Sequence, residues 1–228
     1  MTSKYALAAL LMLTDPAQAA GLQCQTPLDI VGTPERMQAR DFTTIIRLGN
    51  APLGPLGIAF GPGREPTAEI TAVDGQYHVS RSENGTIVSE TNPAGQGAAM
   101  LVRANFQAWT DAGQLAEITD LASLNAALSA RITALGCSGD VTIPFRITAR
   151  AVLLGWSVDA VPDSARGTIT DSDVIIVGVF SNHDRANSFM AGKLDLHAHM
   201  LEPATGMSGH VRTLLLADGA RLQLASAQ

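Results

Sequence analysis

The stretch LDLHAHMLEPATGMSGHV, residues 194–211, carries three of the five histidines of this 228-residue chain. Apolar and polar residues alternate over residues 194–200, a turn-like segment follows at residues 202–206, and a second strand-like run begins at residue 209, which predicts two antiparallel strands. Side chains two apart on a strand project from the same face, so His197 and His199 point together. The returning strand would place His210 beside them. The stretch therefore predicts a β-hairpin that presents three imidazoles on one face.

Three neutral imidazoles with one open coordination position are the ligand set of a catalytic zinc site. Manganese, iron, nickel or copper would also accept these ligands. Gly209, directly before the third histidine, allows close approach of another backbone. The alternative is that the first two histidines are half-exposed strand residues and the third is unrelated to them. The other two histidines of the chain are predicted outside the site, His183 on a loop and His78 on a strand as a structural or exposed residue.

Most of the remaining chain has a β pattern of short apolar or alternating runs broken by Gly, Pro, Asn and Asp. Residues 120–135 differ, because leucines and Ile132 recur at helical spacing behind an acidic start. The Gly/Pro-rich segment 52–66 is predicted to be a loop. The predicted strands are 68–73, 76–81, 86–89, 99–106, 141–149, 151–159, 174–180, 194–201, 209–216 and 221–225. The predicted fold class is α+β and mostly β, with two mixed or antiparallel β-sheet subdomains, one prominent helix, and a metal site on a hairpin near the C-terminus.

The net charge argues against nucleic acid as a partner, and the hydropathy pattern argues against a membrane anchor. A formal charge of −6 and a pI near 5.3 provide no basic surface, so we expect no nucleic-acid binding. After the N-terminus no run of about 18 apolar residues occurs, so we expect no membrane anchor. The partner predicted instead is a small-molecule substrate, and a homodimer is left open.

The N-terminus has the pattern of a secretory signal peptide. Lys4 precedes an apolar run, residues 5–13, and Ala17-Gln18-Ala19 has the small-x-small pattern of a cleavage site. The predicted organisation is a signal peptide over residues 1–19 and one domain over residues 20–228, in a periplasmic or secreted protein. The alternative is a short buried or amphipathic N-terminal helix.

The chain contains two cysteines, Cys24 and Cys137. In an oxidising compartment such a pair often forms a disulfide, which would tie the N-terminus of the exported chain to its body. The alternative is two free buried thiols. Neither cysteine is close in sequence to the histidines, so neither is predicted as a metal ligand.

The histidine block resembles that of the alpha-acetolactate decarboxylase family, in which His-x-His on a strand is followed about ten residues later by Gly-His-Val. Here the block reads HAH at residues 197–199 and GHV at 209–211. The similarity extends diffusely over residues 40–225, and its clearest other segments are AEITAVDGQYHV (68–79), FRITARAV (145–152) and VIIVG (174–178). The resemblance implies a zinc-dependent lyase that converts acetolactate to acetoin and carbon dioxide, with zinc bound by the three histidines.

The resemblance also implies two catalytic residues. Glu69 stands at the position of a site glutamate and Arg150 at that of the substrate arginine, although a one-residue gap makes Arg146 a rival. Family members usually continue into a tail that returns a second glutamate to the site, whereas this sequence ends at residue 228. Another carboxylate, such as Glu202 or Glu65, would have to replace it, or the chemistry is altered or lost.

Two other functions remain open at this stage. The first is a non-catalytic, exported zinc- or small-ligand-binding β-protein on the same scaffold. The second is a β-rich interaction module related to small nucleic-acid-associated domains with closely spaced histidines. The export signal and the acidic charge argue against the second.

Overall fold

The computed structural model describes residues 21–92, 94–158, 165–183 and 194–227, and the predicted signal peptide lies outside these ranges. Strands dominate the described residues. In chain order the elements are β1 (Asp29–Val31), α1 (Pro34–Gln38), β2 (Ile46–Arg47), a 3-10 turn (Leu48–Asn50), β3 (Ile58–Pro62), β4 (Ala68–Val73), β5 (Gln76–Glu83), β6 (Thr86–Thr91), β7 (Gly97–Ala98), β8 (Leu101–Ala104), β9 (Ala108–Gln114), α2 (Leu121–Ala134), β10 (Thr142–Ser157), β11 (Arg166–Ser181), β12 (Leu196–Leu201), β13 (Ser208–Leu216) and β14 (Arg221–Ser226).

The strands form two large antiparallel sheets. The first sheet has the order β1-β8-β3-β4-β5-β6, and the second has the order β11-β12-β13-β10-β14-β9 with a further pairing of β10 with β11. Strands β2 and β7 form a separate two-stranded ladder. This architecture, with one long helix, confirms the predicted fold class.

A row of hydroxyl groups joins the two sheets beside the histidine hairpin. The Oγ of Ser80 on β5 lies 3.0 Å from the Oγ of Ser208 at the start of β13. Ser89 on β6 donates a hydrogen bond of 2.6 Å to the carbonyl of Gly206 in the hairpin turn. Because Ser80 and Ser208 are fully buried, these bonds satisfy polar groups that would otherwise be costly to bury. They also hold the turn of the hairpin against the first sheet.

The helix α2 begins where the sequence predicted it. Asp120 is its N-cap and accepts a hydrogen bond from the backbone N–H of Ser123, and the Ser123 side chain accepts from the N–H of Asp120 in return. Leu124, Leu128 and Ile132, spaced by one turn each, are fully buried. Among the described residues no helical segment combines the length and apolar character that a transmembrane helix needs.

Two predictions of local structure were wrong. Residues 141–149 and 151–159 were predicted as separate strands, but β10 runs unbroken from Thr142 to Ser157, because a shift of register at Ala151 keeps the pairing with its neighbours intact.

The predicted loop 52–66 contains β3, whose side chains are mostly buried. Gly61 in β3 has φ +148, and a Cβ there would lie 2.5 Å from the carbonyl oxygen of Met100. Gly61 suggested a loop in the sequence, but it is required because β3 passes close to the backbone of Met100.

Cys24 and Cys137 form a disulfide across 113 residues of sequence, with their Cα atoms 5.6 Å apart. The prediction of a bridge is confirmed. The bond lies beside the short N-terminal segment that pairs with β10 and β14, where Gln23 and Thr26 donate backbone hydrogen bonds to Ala225 and Thr142. It therefore fixes this segment to the second sheet.

Replacing both cysteines by serine should lower the free energy of unfolding by roughly 2–5 kcal/mol, because a cross-link over a long loop restricts the unfolded chain. Urea unfolding of the double variant and of reduced wild-type protein measures the effect. Equal midpoints for the oxidised wild type and the double variant would contradict the prediction.

Candidate metal centre

The β12–β13 hairpin forms as predicted. His199 and His210 are direct cross-strand partners, and Met200 pairs with Gly209. The turn closes through hydrogen bonds from the backbone N–H of Gly206 to the carbonyl of Glu202 and from the N–H of Glu202 to the carbonyl of Met207. A Cβ at Gly209 would lie 2.6 Å from the carbonyl oxygen of Ser157, so the predicted close approach at this glycine is present.

The three predicted metal ligands come together. The Nε2 atoms of His197 and His199 are 3.2 Å apart. Ring centroids are separated by 4.5 Å for His197 and His210 and by 5.3 Å for His199 and His210. One ligand nitrogen from each ring lies within 4.8 Å of the other two. We call these three residues the histidine trio.

The histidine trio has the chemistry of a metal site. Tetrahedral zinc with nitrogen ligands at about 2.0–2.1 Å requires nitrogens about 3.3 Å apart, which is close to the separation seen for His197 and His199. Burial, the nearby His197 and the charge of Arg212 hold the pKa of His199 well below its usual value, and the same causes, with His199, lower that of His210. Both rings are therefore neutral at physiological pH, the form that binds metal. The trio could hold a metal ion.

The first sheet supplies an apolar wall. The ring of Phe60 on β3 stacks on His197 with centroids 4.6 Å apart and on His199 at 5.3 Å. Phe60 and His199 have almost no solvent exposure. The wall holds the rings in place and keeps water from this side of the trio.

Glu69 on β4 is the predicted catalytic carboxylate, and the structure places it beside the trio. Its Oε1 lies 3.5 Å from Nε2 of His199. The residue is only 4% exposed, so a carboxylate there is held in a low-dielectric environment. This position allows Glu69 to exchange a proton with a molecule bound at the trio.

Thr71, two residues along β4 from Glu69, orients His199 from the opposite edge of the ring. Its Oγ1 lies 2.9 Å from Nδ1 of His199, and both residues are fully buried. When Nδ1 carries the proton it donates to the threonine, which leaves the Nε2 lone pair for a metal. Partners of this kind fix the tautomer and the ring orientation of metal-binding histidines.

The Thr71→Val variant should bind divalent metal about 10–100-fold more weakly, since valine keeps the shape and removes the hydroxyl that accepts from His199. Competition with a chromophoric chelator measures the affinity, and Thr71→Ser, which retains a hydroxyl, should recover most of it. Wild-type affinity in the valine variant would show that Thr71 has no part in the site.

The predicted substrate arginine is not brought to the trio by any contact of the described residues. Arg150 lies on β10 directly opposite Asp173, its Nη1 is 3.9 Å from that carboxylate, and more than half of its side chain is exposed. Arg146, the alternative candidate, pairs with Val177 on β11, and Val177 in turn pairs with His199 on β12. The Nη1 of Arg146 donates to both carboxylate oxygens of Asp74 at 2.9 Å.

Arg212 on β13 was not predicted from the sequence as a residue near the trio. Its positive charge contributes to the lowered pKa of both His199 and His210, so it lies near the trio. The only signal in the sequence was its position two residues after His210, because alternation places residues two apart on one face.

The carboxylates suggested as replacements for a second glutamate are engaged elsewhere. Glu202 accepts a hydrogen bond of 2.5 Å from the Thr205 hydroxyl within the hairpin turn. Glu65 lies 3.6 Å from the Arg64 guanidinium and is half exposed. Among the described carboxylates, Glu69 is therefore the one seen against the trio.

The two remaining histidines have other surroundings. His78 is buried on β5, with Nδ1 3.2 Å from the Thr91 hydroxyl, which fits the structural role predicted for it. His183 lies 3.3 Å from the Asp140 carboxylate, at a cavity of about 600 Å³ whose lining includes none of the trio.

No family model and no curated protein sequence matches the chain. Solved structures do match. Acetolactate decarboxylase from Bacillus subtilis subspecies spizizenii superposes with a TM-score of 0.68 at 18% identity, covering 88% of this chain and 86% of that one. This chain has the fold of that enzyme. Alpha-acetolactate decarboxylase from Bacillus subtilis strain 168 gives a TM-score of 0.65 at 16% identity, with the same coverage of both chains, 88% and 86%.

A protein of unknown function from Staphylococcus aureus, described as similar to alpha-acetolactate decarboxylase, gives a TM-score of 0.61 at 17% identity over 88% of this chain and 86% of that one. The resemblance first noted in the histidine block therefore extends to the architecture of nearly the whole chain. At these identities the likeness concerns the fold, and the activity has to be argued from the site.

Proposed function

We propose that this protein is a metal-dependent decarboxylase that converts 2-acetolactate to acetoin and carbon dioxide, with zinc held by His197, His199 and His210. The observation that carries the proposal is the convergence of three imidazoles, two of them with lowered pKa values, beside a buried glutamate. The acetolactate decarboxylase fold supports the choice of substrate.

The reaction makes two demands on the site. The bond between the carboxylate carbon and its neighbour breaks, and the electron pair stays on the neighbour as an enediolate while carbon dioxide leaves. One proton must then add to carbon to give acetoin. The site therefore has to stabilise a transient negative charge and deliver a proton.

The histidine trio would meet the first demand by binding the metal in a fixed position. When bound, a divalent cation supplies Lewis-acid stabilisation of negative charge that develops on the substrate. Thr71 keeps the His199 ring oriented, and Phe60 excludes water from one side of the trio. In such a low-dielectric site, electrostatic stabilisation is stronger than in water.

Glu69 would meet the second demand. Its carboxyl group, 3.5 Å from the ring of His199, is near enough to the trio to transfer a proton to a bound substrate when it is protonated, and solvent would supply the proton for the next turnover. Side chains in this role contribute by being positioned before the reaction. We propose Glu69 as the acid–base group that protonates the carbon from which carbon dioxide departs.

The test is an acetoin assay on purified, zinc-loaded protein with acetolactate as substrate. Acetoin formation well above the spontaneous rate, and its loss after chelation, is the expected result. Breakdown of acetolactate at the spontaneous rate would contradict the proposal. If the zinc-loaded protein nevertheless bound a hydroxy-keto acid analogue, the non-catalytic ligand-binding alternative would replace it.

We also propose that the protein acts in the periplasm or outside the cell, after removal of residues 1–19. The Cys24–Cys137 disulfide supports an oxidising compartment. N-terminal sequencing of the mature protein tests the proposed cleavage, and a retained Met1 would contradict it.

A further inference from the structure

The proposed metal centre is assembled from both sheets. The second sheet supplies the histidine trio, and the first sheet supplies Glu69 and Thr71 on β4, which contact the His199 ring at 3.5 Å and 2.9 Å. A hydrogen bond between oxygen and nitrogen requires a separation of about 2.7–3.2 Å, so a small shift between the sheets would break the contact of Thr71 with His199. The site therefore depends on contacts that hold the two sheets in register.

Ser80 on β5 lies beside Glu69 on the face that meets the β12–β13 hairpin. The two residues are direct cross-strand partners, and such partners project from the same face. The Oγ of Ser80 lies 3.0 Å from the Oγ of Ser208 and accepts a hydrogen bond of 3.2 Å from its backbone N–H. Ser208 is two residues before His210 in an unbroken register, so both side chains lie on one face of β13. Ser80 therefore connects the position opposite Glu69 to the strand that carries His210.

The donors and acceptors of these serines form one directed chain. Ser80 donates its hydroxyl hydrogen to Ser89 at 3.0 Å, and Ser89 donates to the carbonyl of Gly206 at 2.6 Å. The hydroxyl of Ser208 must therefore donate to Ser80, because a serine has one O–H donor and two acceptor lone pairs. The chain begins and ends on the β12–β13 hairpin. We call Ser208, Ser80, Ser89 and the Gly206 carbonyl the serine lock.

The serine lock attaches one end of the β4–β5 hairpin to the second sheet, and an ion pair attaches the other end. Arg146 on β10 donates from Nη1 to both carboxylate oxygens of Asp74 in the β4–β5 turn at 2.9 Å. Thr71 lies between these two attachments, and Glu69 is level with the lock. Loss of the lock would leave the turn attached and release the end of the hairpin that carries Glu69.

We infer that Ser80 is a positioning residue, which holds Thr71 and Glu69 at the distances from His199 that metal binding and proton transfer require. This inference rests on the proposed function, because it deepens the description of the same site. Ser80 acts through Thr71 and Glu69 and is not required to touch substrate or metal. Loss of its hydroxyl should therefore weaken metal binding through Thr71 and slow the reaction through Glu69.

A double-variant cycle on zinc affinity tests the first part. Ser80→Ala should weaken zinc binding roughly threefold to tenfold, the range of one hydrogen bond, as measured by competition with a chromophoric chelator. In the Thr71→Val background the same change should cost less than about twofold, because the contact through which Ser80 acts is already absent. Ser226→Ala is the matched control, because Ser226 is a fully buried serine bonded to the Ala108 carbonyl on β9. It should leave zinc affinity unchanged in both backgrounds.

Steady-state kinetics at saturating zinc test the second part. Ser80→Ala should lower kcat for acetoin formation roughly tenfold and leave KM within about twofold, since Glu69 moves relative to the reacting carbon while the substrate still binds. In the Glu69→Gln background it should cause no further loss. A wild-type kcat in Ser80→Ala would overturn the part of the inference that concerns Glu69.

Each outcome of the zinc cycle either supports the role of Ser80 or overturns it. Unchanged zinc affinity in folded Ser80→Ala, an equal loss in both backgrounds, a comparable loss in Ser226→Ala, or no zinc binding to the wild type would overturn it. If Ser80→Ala does not fold, Ser89→Ala breaks the lock at a half-buried serine and is judged by the same criteria. Coupling of Ser80 to Thr71 without acetoin formation would retain the positioning role and refute the decarboxylase. Acetoin formation without that coupling would do the reverse.

Discussion

His199→Ala is expected to lower divalent metal affinity by at least about 100-fold, more than the loss of an outer hydrogen-bond partner costs, and to reduce acetoin formation to the spontaneous rate. His199 is central because its Nε2 lies 3.2 Å from that of His197 and 3.5 Å from Glu69. Its Nδ1 is held by Thr71. Metal affinity by chelator competition and the acetoin assay measure the two effects.

His183→Ala is the matched control for this variant, because His183 lies beside Asp140 and outside the trio. It should retain metal binding and activity. Since His199 is fully buried, circular dichroism and thermal unfolding must show that the alanine variant is folded. A folded variant that retains wild-type metal affinity would show that the trio is not the metal site.

Glu69→Gln is expected to reduce kcat by about 10²–10⁴-fold, the usual contribution of a positioned acid–base group, and to retain the metal. Glutamine preserves the size of the side chain but cannot transfer a carboxyl proton. The kcat of the zinc-loaded variant and its zinc content measure the two parts of this prediction.

Glu90→Gln provides the comparison, because Glu90 is an exposed carboxylate paired with Arg81 on the same sheet. It should leave kcat unchanged. A Glu69→Gln variant with full zinc content and a kcat within a few fold of wild type would show that another group delivers the proton. Loss of zinc in Glu69→Gln would instead make Glu69 a metal ligand.

The elements that the sequence predicted well depend on local signals. Alternation in β12, the turn at residues 202–206 and the strand-like run after it are enough to define the β12–β13 hairpin, so the approach of His199 and His210 was predictable from spacing. Asp120 and the leucine spacing likewise define α2. In both cases the residues that determine the structure are within about 20 positions of each other.

The elements that were missed depend on distant contacts. Gly61 and Pro62 suggested a loop, yet β3 is held between β4 and β8. Thr71 lies 128 residues from His199 in sequence, and nothing near either residue predicts their hydrogen bond. The hydrogen bond from Arg212 to Ser157 likewise joins residues 55 positions apart. Tertiary pairing decides each of these features.

The prediction of the substrate arginine likewise depended on similarity to a family and not on contacts within this chain. FRITARAV indicated Arg150 or Arg146 by similarity alone, and the contacts of both side chains are with aspartates. The cation that contributes to the lowered pKa values of His199 and His210 is Arg212 on β13. The family resemblance therefore indicated three histidines and a glutamate that the structure brings together, but the arginines it indicated contact aspartates instead.

X-ray absorption spectroscopy of the zinc-loaded protein shows whether the three imidazoles of the histidine trio bind one divalent ion. We expect one zinc per chain with three imidazole nitrogens at about 2.0–2.1 Å, and loss of this histidine signal in His199→Ala. Zinc that binds without histidine scattering, or fails to bind at stoichiometric concentration, would contradict it.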